Sequence, residues 1–173
     1  MGKISFVYAD LLTAPELLIA HGCNSKGVAE SGVAGALKKR WPDAFVPYHF
    51  ACASGALQLG DVVWASVNTL ASGSKLIGHV ITQTTYGRDP ATRYASYDAI
   101  ERGLRAVLQR AQSEGLDAIA IPAIGAGLGN APWSVVWPIF KHVVEPSPID
   151  VNVYVNDRAQ LEAMLATNAR PEP

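Results

Sequence analysis

Two glycine-rich segments carry the residue types best suited to gripping an anion. Residues 21–35 read HGCNSKGVAESGVAG, and residues 122–133 read PAIGAGLGNAPW. Each follows a short apolar run, at 16–20 and 117–121, and each leads into a helical pattern. Glycine lets backbone N–H groups approach a ligand closely, and a helix N-terminus adds unpaired N–H groups and a positive dipole end. Two such loops on one sheet would grip a diphosphate from both sides. In the second loop Gly125, Gly127 and Gly129 alternate with Ala126 and Leu128 ahead of Pro132. That spacing fits a backbone anion nest, and it fits a plain strand-to-helix connection equally well. No Gly-Lys-Ser/Thr follows, which excludes a Walker loop, and a dinucleotide fingerprint is absent too.

The side chains around these loops offer several kinds of chemistry. His21 is the best-placed titratable group for acid or base work near neutral pH, although a lone histidine at a strand end is more often structural. Asn24 offers both a donor and an acceptor to neighbouring hydroxyls, or it bonds its own loop backbone. Cys23 reads as a small packed hydrophobe. Residues 83–98 (QTTYGRDPATRYASYD) are polar and aromatic and are expected to arch over the site. Tyr86, Arg88 and Tyr94 could stack on a ring or clamp a phosphate, arginine with a bidentate geometry that lysine lacks. Arg88-Asp89 before Pro90 fits a simple turn as well, and Asp89 could activate a water if it faces inward. Asp10 reads as a turn or helix cap, or as an acceptor for a ligand. His49, His79 and His142 read as surface or core residues. Cys23 and Cys52 make neither a metal framework nor a disulfide scaffold, so no metal and no cofactor are expected.

The elements that must position these groups follow from hydrophobic periodicity. Strands are predicted at 3–8, 16–20, 62–67, 75–82, 118–121 and 151–155, with a connection at 71–74. Ser31 is a plausible N-cap for a helix over 32–41 that Pro42 stops, and Asp43 caps a second short helix. A helix over 93–114 carries Ile100, Leu104, Val107, Leu108 and Ala111 at helical spacing, with Gly115 as its stop. Pro132 opens a helix in which Pro138 predicts a kink or an early break, and Asp157 caps a last helix over 158–165. Strands alternating with helices predict an α/β three-layer domain with a largely parallel sheet. Ligands of such sheets sit outside the carboxyl ends of the strands, where both glycine loops begin.

Composition bounds the rest. The chain has 173 residues, 49% of them hydrophobic, enough for one domain with a real core. A net charge of −1 gives no basic surplus for general nucleic-acid binding, and Lys38-Lys39-Arg40 reads as a solvated helix face. No apolar run is long enough for a membrane span and no signal core opens the chain, so a cytoplasmic protein with no membrane partner is expected.

Taken in order, Tyr8-Ala9-Asp10-Leu11-Leu12, His21-Gly22-Cys23-Asn24 and the run from Pro122 through Gly129 resemble the macrodomain, an ADP-ribose-binding module. Lys-Lys-Arg-Trp-Pro, Leu-Gly-Asp and the Pro-Trp after the second loop are most similar to the branch of ADP-ribose-1″-phosphate phosphatases and terminal-ADP-ribose glutamate hydrolases. The resemblance implies a single macrodomain over 1–168 with a disordered tail at 169–173, and a mixed, largely parallel sheet between helical layers. It implies that Asp10, with Leu11, meets the adenine and that Asn24 meets the distal ribose. Gly32, Val33 and Ala34 from the first loop would hold the diphosphate. Ile124, Gly125, Ala126, Gly127, Leu128 and Gly129 would do so from the second. Tyr86 and Arg88 would flank the ligand, with His21 and Asp89 as the catalytic candidates. The implied activity is metal-independent hydrolysis at the distal ribose, most plausibly removal of a 1″-phosphate. A non-catalytic ADP-ribose reader and an ester-specific hydrolase of ADP-ribosylated protein are the alternatives. Glutamate-deADP-ribosylating relatives use a lysine after the strand-like run that is at 75–82 here, and an aspartate after Gly-x-Gly-Leu. This chain has Gln83-Thr84-Thr85 and Gly129 there, so lysine-based chemistry is not expected.

Overall fold

The computed structural model describes residues 1–69 and 73–169, and among them the chain forms one six-stranded sheet between two helical layers. The strands are β1 (Ile4–Tyr8), β2 (Leu18–Asn24), β3 (Val62–Thr69), β4 (Gly73–Gln83), β5 (Ala118–Pro122) and β6 (Asp150–Val155). The helices are α1 (Gly32–Arg40), α2 (Phe45–Ser54), α3 (Tyr97–Ser113), α4 (Trp133–Val144) and α5 (Arg158–Asn168). The order across the sheet is β1-β6-β5-β2-β4-β3, parallel throughout except for the edge strand β3. This is the mixed, largely parallel three-layer architecture that the alternation of elements predicts. The predicted connection at 71–74 falls partly on 70–72, and most of the predicted tail falls on 170–173; both stretches lie outside the described residues.

Strand alternation sorts the core into two faces. Leu18 and Ala20 of β2 point to the layer of α3 and α4, where Ile100, Leu104, Val107, Val136 and Phe140 are buried. Ile19 and Cys23 point to the opposite layer, against Leu37 of α1 and Phe45 and Tyr48 of α2. Each of these large buried side chains contributes on the order of 2 kcal/mol through removal of apolar area from water.

The helix predicted over 93–114 is present but shorter at both ends. Ser96 accepts a hydrogen bond from the Ala99 N–H and starts α3. Gly115, at φ +68°, lets the chain reverse while the Leu116 N–H returns to the Ala111 carbonyl. Ion pairs Asp98–Arg102, Glu101–Arg105 and Arg110–Glu114 line its exposed side.

Three expectations change. β2 is predicted to end at Ala20 but runs on through Asn24, because β4 pairs with it residue for residue as far as Cys23. Ser31 occupies the N-cap position of α1 without forming a side-chain cap. Helix α4 continues through Pro138 to Val144 without a break.

Candidate functional site

Both glycine loops leave the carboxyl edge of the sheet from neighbouring strands, since β2 and β5 pair through Ile19 and Ala120. Between them lies a cavity of about 420 Å³, within the range of ~300–1,000 Å³ usual for small-molecule sites. The first loop contributes Asn24, Gly32, Val33 and Ala34 to its wall; the second contributes Ile124, Gly125, Gly127, Leu128 and Gly129. Tyr86 and Arg88 line it from the segment after β4. Eleven positions expected from the sequence therefore meet around one space, and each loop has a physical reason to be there.

In the first loop the Asn24 amide is the organiser. Its Oδ1 accepts from the N–H of Lys26 (2.9 Å) and of Val28 (3.2 Å), and its Nδ2 donates to the Val28 carbonyl (2.7 Å). The Tyr48 hydroxyl donates to the Asn24 carbonyl at 2.7 Å from beneath. Asn24 thus bonds its own loop while forming part of the cavity wall. Downstream, Gly32 takes φ +59°, and no side chain caps the first-turn N–H groups of α1. No acidic residue stands in that turn either. Uncapped donors at a positive dipole end, walling a cavity, can hold an anion.

The second loop is pinned from behind. Gly125 sits at φ +83° and its carbonyl accepts the Ala131 N–H at 2.8 Å. The Gly129 carbonyl accepts from both Tyr94 and Ala95 N–H at 2.9 Å, tying the loop to the segment that precedes α3. Asn130, at φ +53°, donates through Nδ2 to the carbonyls of Pro90 (2.7 Å) and Thr92 (2.9 Å). This staple was not expected from the sequence; asparagine in a left-handed position after a glycine run is the signal that could have found it.

Several expected site residues lie elsewhere. His21 does not reach the cavity. With β2 extended, the pleat turns it onto the α2 face, fully buried beside Phe45 and His79. Its Nε2 is 2.8 Å from His79 Nδ1. Burial first, and then the neighbouring His79, hold the His21 pKa well below the ordinary histidine range, so the ring is neutral. A proton-transfer role at the cavity is thereby withdrawn from it. Asp89 is exposed and spent on the turn: its carboxylate accepts from Thr92 Oγ1 (2.7 Å) and Ala91 N–H (2.9 Å). Those bonds lower its pKa and leave it outside the lining. Asp10 accepts from the Leu12 N–H at 2.9 Å and caps a 3-10 turn at Leu11–Thr13, while Leu11 is buried in the core. Both stand beyond the cavity wall, at the end of β1 next to β6. Ala126 packs behind the loop, and Tyr94 folds back so that its hydroxyl accepts from the Asp89 N–H at 3.3 Å.

The wall also holds residues not anticipated from the sequence. Tyr154, Asn156 and Gln160 come from the end of β6 and the start of α5, and Thr82 and Gln83 from the end of β4. The rule that ligands meet carboxyl ends of strands applies to these strands too, but without a glycine loop nothing marked them locally. The Tyr154 hydroxyl donates to the Glu16 carboxylate at 2.9 Å; burial and that carboxylate raise its pKa to about 12. Glu30 is the one carboxylate among the described lining residues. Lys38 pairs with it at 2.6 Å and lowers its pKa.

No metal-binding group is expected from the sequence, yet the structure brings His21, Cys23 and His79 together as a buried trio. No helix among the described residues is long and apolar enough to cross a membrane.

Known proteins share this architecture. A macrodomain of Thermus aquaticus DarG superposes with a TM-score of 0.75 at 29% identity, covering 90% of this chain and 99% of that one. A DNA ADP-ribosyl glycohydrolase of Thermus aquaticus is 29% identical over 174 residues, 98% of this chain and 47% of the relative. An ADP-ribose 1″-phosphate phosphatase of Chaetomium globosum is 30% identical over 138 residues, 72% of this chain and 75% of the relative. The chain spans less than half the length of the DNA ADP-ribosyl glycohydrolases it matches (36–47%). The family profile of the macro domain matches residues 20–140, the stretch that contains both glycine loops. The chain belongs to the macro domain family.

Proposed function

We propose that the cavity binds ADP-ribose or a derivative, and that the protein hydrolyses the substituent at the distal ribose, with ADP-ribose-1″-phosphate as its substrate. The observation that carries this reading is the convergence of the uncapped first turn of α1 and the Gly125–Gly129 loop on one cavity. A diphosphate between them would accept backbone N–H bonds from both sides. Asp10, at the neighbouring strand end, would meet the adenine amino group. The relatives support the ligand class, since both the phosphatase and the glycohydrolases named above act on ADP-ribose derivatives by name.

In the reaction, a water oxygen attacks the 1″-phosphorus as the bond to O1″ breaks, one water proton passes to O1″, and ADP-ribose and inorganic phosphate leave. With His21 buried and Asp89 turned away, Glu30, the carboxylate among the described lining residues, would orient that water. It is exposed and paired with Lys38, which lowers its pKa further, so it would act as a hydrogen-bond acceptor and not as a proton store.

Phosphorus NMR of ADP-ribose-1″-phosphate with the protein is expected to show inorganic phosphate appearing. Glu30→Gln is expected to lower kcat about 10–100-fold, from loss of one hydrogen bond to a charged group. Its calorimetric affinity for ADP-ribose should be unchanged. An intact substrate would end the phosphatase reading; absence of ADP-ribose binding would end the ligand assignment. A second reading, removal of ADP-ribose from DNA, is favoured by the 29% match over 98% of the chain to a DNA ADP-ribosyl glycohydrolase. Release of ADP-ribose from a modified oligonucleotide, with no phosphate released from the first substrate, would select it. Binding without turnover of either substrate, or of ester-linked ADP-ribosylated protein, would leave a reader.

Gly129 bears on the same question. Restoring the carboxylate of the glutamate-specific relatives by Gly129→Asp is expected to weaken ADP-ribose binding and confer no hydrolysis. A Cβ there would lie 2.7 Å from the Gly125 carbonyl oxygen and 2.9 Å from Ala95 Cβ, so the loop must open to hold it. Calorimetry showing wild-type affinity in this variant would contradict that steric argument.

A further inference from the structure

Beneath the cavity floor, the parallel strands β2 and β4 place His21 and His79 side by side as register partners, with Cys23 two residues further on the same face. His21 Nε2 is 2.8 Å from His79 Nδ1, and Cys23 Sγ is 3.7 Å and 3.9 Å from those two atoms. Hydrogen bonding fixes the protons. His79 Nε2 lies 2.9 Å from the Ala44 carbonyl and can only donate to it, so Nδ1 of that ring carries a lone pair. His21 Nε2–H therefore donates to His79 Nδ1, and Cys23 Sγ lies 3.6 Å from His21 Nδ1 and 3.7 Å from its Nε2. Two imidazoles and a thiol thus converge in a core whose other members here are Ile19, Ile77, Ile81, Phe45 and Tyr48.

The triangle formed by the three atoms, with sides of 2.8, 3.7 and 3.9 Å, has a centre about 2.1 Å from each, against ~2.0–2.1 Å for zinc–nitrogen and ~2.3 Å for zinc–sulfur bonds. The bond from His79 Nε2 to a backbone carbonyl is the outer contact that orients a metal-ligating imidazole. We infer that His21 Nε2, Cys23 Sγ and His79 Nδ1 form a binding site for a soft, thiophilic d10 cation. Thiolate with imidazole is the donor set such ions take. Charge balance selects monovalent copper over zinc. One thiolate neutralises Cu(I), whereas Zn(II) would leave a net positive charge among apolar side chains, which is costly to bury. On binding, the Cys23 S–H bond breaks, its proton goes to solvent and a sulfur–metal bond forms. The His21 proton moves from Nε2 to Nδ1, and no oxidation state changes. Cys23 also lines the cavity, so the entry path runs through the nucleotide site.

The test is an anaerobic titration of reduced protein with Cu(I) against a chromogenic Cu(I) chelator, with Zn(II) in a parallel arm. X-ray absorption of the loaded wild-type protein reads the bound shell directly and depends on no variant. One equivalent of Cu(I) in a shell of one sulfur and two nitrogens is expected. Cys23→Ser should lower the affinity at least about 100-fold, the upper scale seen even for outer-shell losses. Cys52→Ser, which removes the other free thiol, should leave it unchanged. A sulfur-free shell, or wild-type affinity in folded Cys23→Ser protein, overturns the site. Tighter binding of zinc than of Cu(I) at these residues overturns the copper assignment.

Discussion

Replacing Gly125 by alanine is expected to lower ADP-ribose affinity about 100-fold, through loss of two backbone bonds to a charged ligand at roughly tenfold each. Stability is expected to fall by roughly 2–5 kcal/mol, because two costs add. The residue sits at φ +83°, a left-handed conformation that costs an L-residue about 1–2 kcal/mol. Its new Cβ would lie 2.6 Å from Ile100 Cδ1, in a core where overpacking costs about 1–3 kcal/mol. Ile100 is buried in the first turn of α3, so its terminal methyl can turn aside only against packed neighbours. Left-handed strain at residue 125 displaces the backbone, and with it the Gly125 carbonyl that holds Ala131 and the peptide groups facing the cavity. Calorimetry with ADP-ribose and urea denaturation measure the two effects. Gly55→Ala is the control: φ is +69° but no atom lies within 4 Å of the added Cβ, so a small stability loss with unchanged affinity is expected. Wild-type affinity in the Gly125 variant would mean that this loop does not grip the ligand.

Acid is expected to destabilise the protein well above the pH at which carboxylates titrate. Burial lowers the His79 pKa from 6.5 to about 4, and burial together with His79 lowers that of His21. The unfolded chain therefore binds more protons than the native one below pH 6.5, and stability must drop as the pH falls. For His79 the loss is about 1.4 kcal/mol per pH unit, reaching roughly 3 kcal/mol near pH 4. His21 adds to it in the same direction. The ionisable groups packed on the pair, Cys23 and Tyr48, have pKa values raised by burial, so they stay neutral through this window and do not offset it. Denaturation midpoints at pH 7, 6 and 5 measure the slope. A flat profile between pH 6.5 and 5 would show that the two rings are not held neutral in the native state.

Much of the site was legible in the sequence because glycine loops are local statements. The positions 32–34 and 124–129 follow from the chain's own backbone needs, and all but Ala126 line the cavity. The side-chain roles were less legible. Asp89 faces its own turn because an exposed aspartate finds the N–H two residues on before it finds a ligand. Tyr154, Asn156 and Gln160 carry no local signal; they reach the wall only because β6 lies beside β5.

By itself the sequence determined the alternation of strands and helices, the two loops and the family they belong to, since periodicity and glycine placement are short-range properties. What only the tertiary structure decided is where β2 ends. Pairing with β4 carries it through Asn24, which leaves His21 three residues inside the strand, buried on the α2 face against His79, 58 positions along the chain. A residue that reads as the cavity's base is in fact part of a buried pair. Which side of a sheet a side chain occupies is set by its partner strand, and no run of residues around it contains that information.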